Sequence, residues 1–312
     1  MPDQLNGPVR FAVVVPFLNE ERHLPELLAS VAAQVRPPDE LLLVDDGSSD
    51  GSLRIAQAFE AEHPYARALK RPPRASERDR LATAAELKAF QWGVDRLEQT
   101  PAILAKLDAD LRLAPSLFLT VEHAFAVDPG LGMTGSYLAI EDRSGRLRRE
   151  YNPPDHIRGP NKFYRWRCYE EIQPLEAHLG WDTVDELKAR MRGWATRSLE
   201  LPDGDPVHLR PTGLHDGRLR ASRRWGVCAW GYGQHPAFVV GGGILRFAYR
   251  PYVLAGLNYI LGWVVAAVRR APRAGADVRA FARREKARVV LEHLRHPARR
   301  LHSRYAPRRQ AP

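Results

Sequence analysis

The sequence predicts an α/β fold in which buried strands alternate with helices and polar loops sit at the carboxyl ends of the strands. Two observations predict it. Phe11-Ala12-Val13-Val14-Val15, Leu41-Leu42-Leu43-Val44 and Ile103-Leu104-Ala105 are short, unbroken apolar runs, as expected of strands buried on both faces of a parallel sheet. The first two runs lead through a polar loop into a stretch of helical periodicity.

After the first strand, Pro16-Phe17-Leu18-Asn19-Glu20 reads as a loop. Residues 21–35 then place Leu24, Leu27, Leu28, Val31 and Val35 on one helical face, and Pro37-Pro38 stops the helix. The second strand ends in Asp45-Asp46-Gly47-Ser48-Ser49-Asp50, with Ser49 or Asp50 placed to cap a helix over 51–61. A third strand is expected at 66–70, a basic Pro-rich loop at 71–78, and a long helix at 77–97. The Ile103 strand runs into Lys106-Leu107-Asp108-Ala109-Asp110. Carboxylates at i and i+2 of an extended chain point to one side, where they can share a hard divalent cation.

The second half is more mixed. Residues 131–140 read as a strand and 143–155 as a polar connection. Residues 159–166 are dense in aromatic and basic groups. Gly180-Trp181-Asp182 opens a helix running to Met191, with Asp182 as the expected N-cap and Asp185 three residues on. A strand is expected at 197–201 and a loop at 207–213.

The chain of 312 residues has room for one large domain with an appendage, read here as 1–235 and 236–312. Cys168 and Cys228 make neither a disulfide framework nor a zinc motif, and together with a polar start lacking a signal peptide they place the protein in the cytoplasm. The charge is localised: residues 269–312 hold 14 Lys/Arg against 3 Asp/Glu, a surplus of +11 within a net +10. Ahead of this tail, residues 251–268 run without a charge, at the short limit of a spanning helix. The pair is read as a membrane-associating region on the inner face of the plasma membrane, held by attraction of the basic flank to anionic lipid. The other reading of the run is a buried C-terminal helix. The tail lacks aromatics among its basic residues, so nucleic acid is not expected as a partner. Neither G-x-G-x-x-G after the first strand nor G-x-x-x-x-G-K-[ST] is present, which leaves the dinucleotide and P-loop classes without their fingerprints.

Taken together, the Val13–Glu20, Leu43–Asp50 and Asp108-Ala109-Asp110 segments resemble family 2 glycosyltransferases of the Rossmann-like GT-A fold, in family order over the first 115 residues or so. The resemblance implies a mixed sheet flanked by helices, a nucleotide-diphospho-sugar donor with UDP favoured, a divalent metal (Mn2+ or Mg2+), and inverting transfer to an acceptor hydroxyl. Pro16, Leu18, Asn19, Glu20, Asp45, Asp46, Lys106, Asp108, Ala109 and Asp110 are then the donor-binding set. Asp45 or Asp46 suits the N3–H of a uracil ring. Asp108 and Asp110 would ligate the metal, with His208 in the region of the family's late histidine. Imidazole suits manganese better than magnesium.

The segment from Gly180 to Trp194 resembles the family's acidic acceptor-side motif in divergent form, without the usual Glu-Asp pair or Q-x-x-R-W. Asp182 and Asp185 are both left as bases. Arg158, Asn161, Lys162 and Trp181 are read on the acceptor side, where Trp181 either stacks on a sugar or packs the helix start. A lipid-linked or cell-surface glycan is the expected acceptor. The alternatives are a catalytically inactive module of this fold serving as an assembly subunit, or a sugar-1-phosphate nucleotidyltransferase. The latter should carry a Gly-rich basic signature where this chain has Pro16–Glu20.

Overall fold

Strand β1 (Phe11–Phe17) lies inside a seven-stranded sheet, and burial of all seven residues explains its unbroken apolar run. The computed structural model describes residues 9–72, 80, 82–142, 144–150, 152–154, 156–210, 217–248 and 251–295. The start at 1–8, most of the basic loop at 71–78, the end of the 207–213 loop and the tail beyond 295 lie outside the described residues.

Next come α1 (Leu24–Ala32), β2 (Glu40–Asp45), α2 (Ser52–Glu62), β3 (Ala66–Lys70), α3 (Ala85–Val94), β4 (Ile103–Leu107), β5 (Leu111–Arg112) and α4 (Leu117–Val127). The chain continues through β6 (Leu131–Ser136), β7 (Ala139–Glu141), β8 (Leu147–Arg149), β9 (Asn161–Arg165), α5 (Trp166–Glu171), α6 (Trp181–Met191), β10 (Ala195–Leu199) and β11 (Val207–His208). It closes with α7 (Arg218–Gly231), α8 (Pro236–Leu245), α9 (Val253–Val268) and α10 (Ala276–Arg295). The large sheet has the order β10-β6-β9-β4-β1-β2-β3. Strand β9 runs antiparallel to both neighbours and the other pairs are parallel, so the sheet is mixed.

Alternate residues of β1 serve two cores. Phe11, Val13 and Val15 pack with Leu24, Leu27 and Phe118 on one face, and Val14 packs with Leu87 and Phe90 on the other. Helix α3 comes so close that a Cβ on Gly93 would stand 2.6 Å from Val14 Cγ1. The parallel strands β1, β2 and β4 therefore deliver their following loops to one edge.

Several expectations change in the structure. The 77–97 helix is described only over Ala85–Val94. The 131–140 strand divides between the large sheet and a four-stranded sheet of order β5-β11-β7-β8. The 207–213 stretch begins as a strand, not a loop. Helix α6 is capped by Gly180, at φ 87°, so Asp182 lies inside the first turn and is not the N-cap. The apolar 251–268 run forms a 16-residue helix, about 24 Å long at 1.5 Å per residue. Among the described residues no helix is long and apolar enough to cross a membrane.

Candidate active site

The loops after β1, β2 and β4 open onto one cleft of about 260 Å³. Pro16, Leu18, Glu20, Asp46, Asp108, Ala109 and Asp110 line it, so acidic groups from separate strand tips share a single space. Arg80, Glu86 and Arg210, which the sequence did not single out, line it too. The two aspartates after β2 differ. Asp45 is fully buried and accepts the Ser48 N–H at 2.9 Å, so it shapes the turn. Asp46 faces the cleft and pairs with Arg71 and Arg80. Asn19, outside the lining, ties the two loops: at φ 54° its Oδ1 accepts the Ser49 N–H at 2.8 Å, and its N–H donates to Ser48 Oγ at 3.0 Å. Glu20 is buried and pairs with His23 and Arg210.

The two-residue strands β5 and β11 bring a histidine to the aspartates of the cleft. Their antiparallel pairing sets His208 opposite Leu111, beside Asp110. Asp108, Asp110 and His208 each offer a ligand atom, and these atoms all lie within 4.8 Å of one another. His208 Nε2 stands 3.5 Å from Asp110 Oδ1, while its Nδ1 faces Glu150 at 3.9 Å. Burial alone would lower the His208 pKa, but hydrogen bonding to Asp110 and Glu150 carries it up to about 9. Burial alone would raise Asp110, yet His208 and Arg210 hold its carboxyl down at about 2. Two carboxylates and one imidazole backed by a carboxylate form a donor set that fits a divalent cation, and the nitrogen favours manganese over magnesium. Arg210 Nε donates to Asp110 Oδ2 at 2.9 Å, and its other arm reaches Glu20.

Lys106 and Lys162 are register partners across β4 and β9, both with side chains buried to 1 % exposure or less. Their charges are separated by use: Lys106 pairs with Glu86 and Asp108 and donates to the Gly159 carbonyl at 3.1 Å, whereas Lys162 pairs with Asp185 at 2.6 Å. The Trp181 ring lies against both ammonium groups, 5.7 and 5.2 Å from its centroid. Asp185 is 1 % exposed and also accepts the Tyr164 hydroxyl at 2.7 Å. Burial pushes its carboxyl up to about 6 against the pull of Lys162. Its carboxylate is thus held by Lys162 and Tyr164, whereas Asp182, the base that the sequence slightly favours, is less buried. Asn161 and Lys162 are likewise buried: Asn161 donates to Ser136 Oγ at 2.7 Å inside the sheet. Arg158 pairs with Glu150 and so stands behind His208.

Asp182 is half-buried and its carboxylate has no described ion-pair or hydrogen-bond partner. A Cβ on Gly159 would stand 3.3 Å from its Oδ2, so the glycine leaves the carboxylate beside the loop that bonds Lys106. Helix α6 also walls a second cavity of about 230 Å³, which Thr183 and Arg190 line together with Tyr232, His235 and Phe238.

Residues 12–181, more than half of the chain, match the family model of glycosyl transferase family 2. The chain belongs to that family. Its fold is also that of GT-A glycosyltransferases of known structure. A mannosyltransferase from Pyrobaculum calidifontis, solved with GDP-Man and Mn2+, is 17% identical with a TM-score of 0.55, over 95% of this chain and 84% of that one. Glucosyl-3-phosphoglycerate synthase from Mycobacterium tuberculosis, solved with Mn2+, UDP and glucosyl-3-phosphoglycerate, is 17% identical with a TM-score of 0.50, over 70% and 78% of the two chains. An undecaprenyl-phosphate 4-deoxy-4-formamido-L-arabinose transferase from Pseudomonas fluorescens is 47% identical over 55 residues, which span 16% of each protein.

Within this family 2 transferase, the residues that sequence reasoning missed are Arg71, Arg80, Glu86, Glu150 and Arg210. Arg210 lay two positions from His208, in the stretch that the sequence marked as a loop. Glu150 lay in a polar connection with no periodicity to distinguish it.

Proposed function

We propose that the enzyme is an inverting transferase moving a sugar from a nucleoside-diphosphate donor, UDP-linked by preference, to an acceptor hydroxyl. The observation that carries this reading is the cleft lined by Asp46, Asp108 and Asp110, with a ring nitrogen of His208 within 4.8 Å of the last two carboxylates. Asp46 accepts the imide N–H of the base, while Arg80 and Arg210 face the diphosphate. Asp108, Asp110 and His208 hold a divalent cation, Mn2+ before Mg2+, which would neutralise the diphosphate as it leaves. Similar structures solved with Mn2+ and UDP or GDP-Man support that assignment.

The acceptor hydroxyl is taken to reach Asp182, whose carboxylate lies beside Gly159. As the acceptor oxygen bonds to the anomeric carbon and the bond to phosphate breaks, Asp182 takes the hydroxyl proton. Asp182 lies in the first turn of α6 and relies on position and on the acidity the hydroxyl gains as the bond forms. The expected acceptor is a lipid-linked or cell-surface glycan; the short match to a relative named for undecaprenyl phosphate supports only the lipid part of that reading. The enzyme would then work at a membrane surface, on the cytoplasmic side and held there by residues 236–312.

The test is release of UDP from UDP-sugars with Mn2+. Asp182→Asn is expected to lower transfer by about 10²–10⁴-fold while UDP binding is kept. Unchanged turnover would remove Asp182 as the base. Release that needs no metal would reject the metal assignment.

A further inference from the structure

Helix α9 is built the wrong way round for a helix facing water. Ala255, Gly256, Gly262 and Ala266 are turned inward, while Leu257, Leu261, Val264 and Val268 form an outward stripe at i, i+4, i+7 and i+11. With Ile244 and Leu245 of α8, these residues are 42 to 78 % exposed. The small residues let α7 and α8 pack close: a Cβ on Gly262 would collide with the Arg223 carbonyl, and one on Gly256 with that of Gly243. The large apolar groups are thus left on one side with no described partner.

The charge around this face is of one sign. From Gly217 to Ala276 the sequence has nine arginines and no aspartate or glutamate. Arg269 and Arg270 are exposed at the end of the stripe. Arg246 lies 5.7 Å from the ring centroid of the half-exposed Trp225, an aromatic and basic pairing suited to a headgroup layer.

We infer that α8 and α9 lie in the plane of an anionic bilayer, the stripe among the upper acyl chains and the arginines among the headgroups. This deepens the membrane-surface reading above, and rests on it for the location of the acceptor. The helices do not span. At 10 and 16 residues they are about 15 and 24 Å long, short of a core of about 30 Å, and the back of α9 is occupied by the arginine-bearing α7. A second copy of the chain is a poor occupant, because it would set arginine against arginine with no acid between them. Apolar burial and basic attraction are the two signals that stable surface binding needs.

The test is sedimentation of the full-length protein with phosphatidylcholine vesicles, with and without phosphatidylglycerol. The wild type is expected to bind the anionic vesicles, with binding weakened by salt, and to be released by alkaline carbonate. Leu257→Ser/Leu261→Ser/Val264→Ser is expected to lose at least tenfold in apparent affinity while stabilisation by UDP and Mn2+ is unchanged. Should that variant fail to fold, Arg269→Ser/Arg270→Ser is expected to lose the preference for anionic lipid. The docking is overturned by a wild type that stays in the supernatant, by equal binding to both vesicles, by resistance to carbonate, or by a dimer that the triple variant abolishes. Absent vesicle binding with intact UDP stabilisation rejects the membrane face alone; the reverse pattern rejects the transferase site alone.

Discussion

His208 owes its orientation to what lies on either side of it. Asp110 holds one ring nitrogen and Glu150 faces the other, and Glu150 is itself fixed by Arg158. A carboxylate behind a ligating imidazole sets the tautomer and aims the free nitrogen at the cation. Glu150→Gln is therefore expected to weaken Mn2+ binding by about 10–100-fold without touching the cleft, measured by titration calorimetry. Unaltered affinity would show that Arg158 and Glu150 only brace the loop. The two aspartates after β2 show how local geometry divides adjacent identical residues. Asp45 closes a turn and Asp46 faces the cleft, a division that depends on which way each side chain leaves the strand. Nothing in the dipeptide itself announces it.

Paired β-strands account for much of what the sequence showed and for what it hid. Strands β1, β2 and β4 were legible because burial on both faces writes an unbroken apolar run, and their loops followed from the parallel order. Strands β5 and β11 have two residues each, too few for any period, yet their pairing brings His208 to Asp110. Lys106 and Lys162 were legible as cations but not as buried ones, since burial depends on the anions and the Trp181 ring that the fold brings to them. Lys162→Met leaves Asp185 buried without its partner and is expected to cost about 3–5 kcal/mol. Adding Asp185→Asn, which still accepts from Tyr164, is expected to recover most of that loss in the urea midpoint. Equal destabilisation in the single and double variants would show that packing, not charge, is what the lysine contributes.

The C-terminal helices are more than an appendage. Helix α10 packs Val278 and Ala282 on Val184 and Leu187 of α6, and Glu285 binds Arg190 at 2.9 Å. Helix α7 packs along α9, so the helical layer takes in residues ahead of the 235/236 boundary. Truncation after His235 is expected to lower stability by on the order of 3–6 kcal/mol, the worth of uncovering two large apolar side chains, seen as a fall in melting temperature. An unchanged melting temperature would show that the catalytic domain needs no cover. Hydropathy along 251–268 signalled an unusual apolar segment, but only the fold could show that its glycines and alanines face the protein and its leucines do not.

The proposed transfer requires one nucleotide and one cation to share the cleft between Asp46 and Asp110. Calorimetric titration of UDP into the protein, with and without Mn2+, measures that coupling. Tight binding with Mn2+, lost in its absence and lost in Asp110→Asn, is the predicted result. Binding of the same strength whether or not the metal is present, or undiminished in Asp110→Asn, would contradict it.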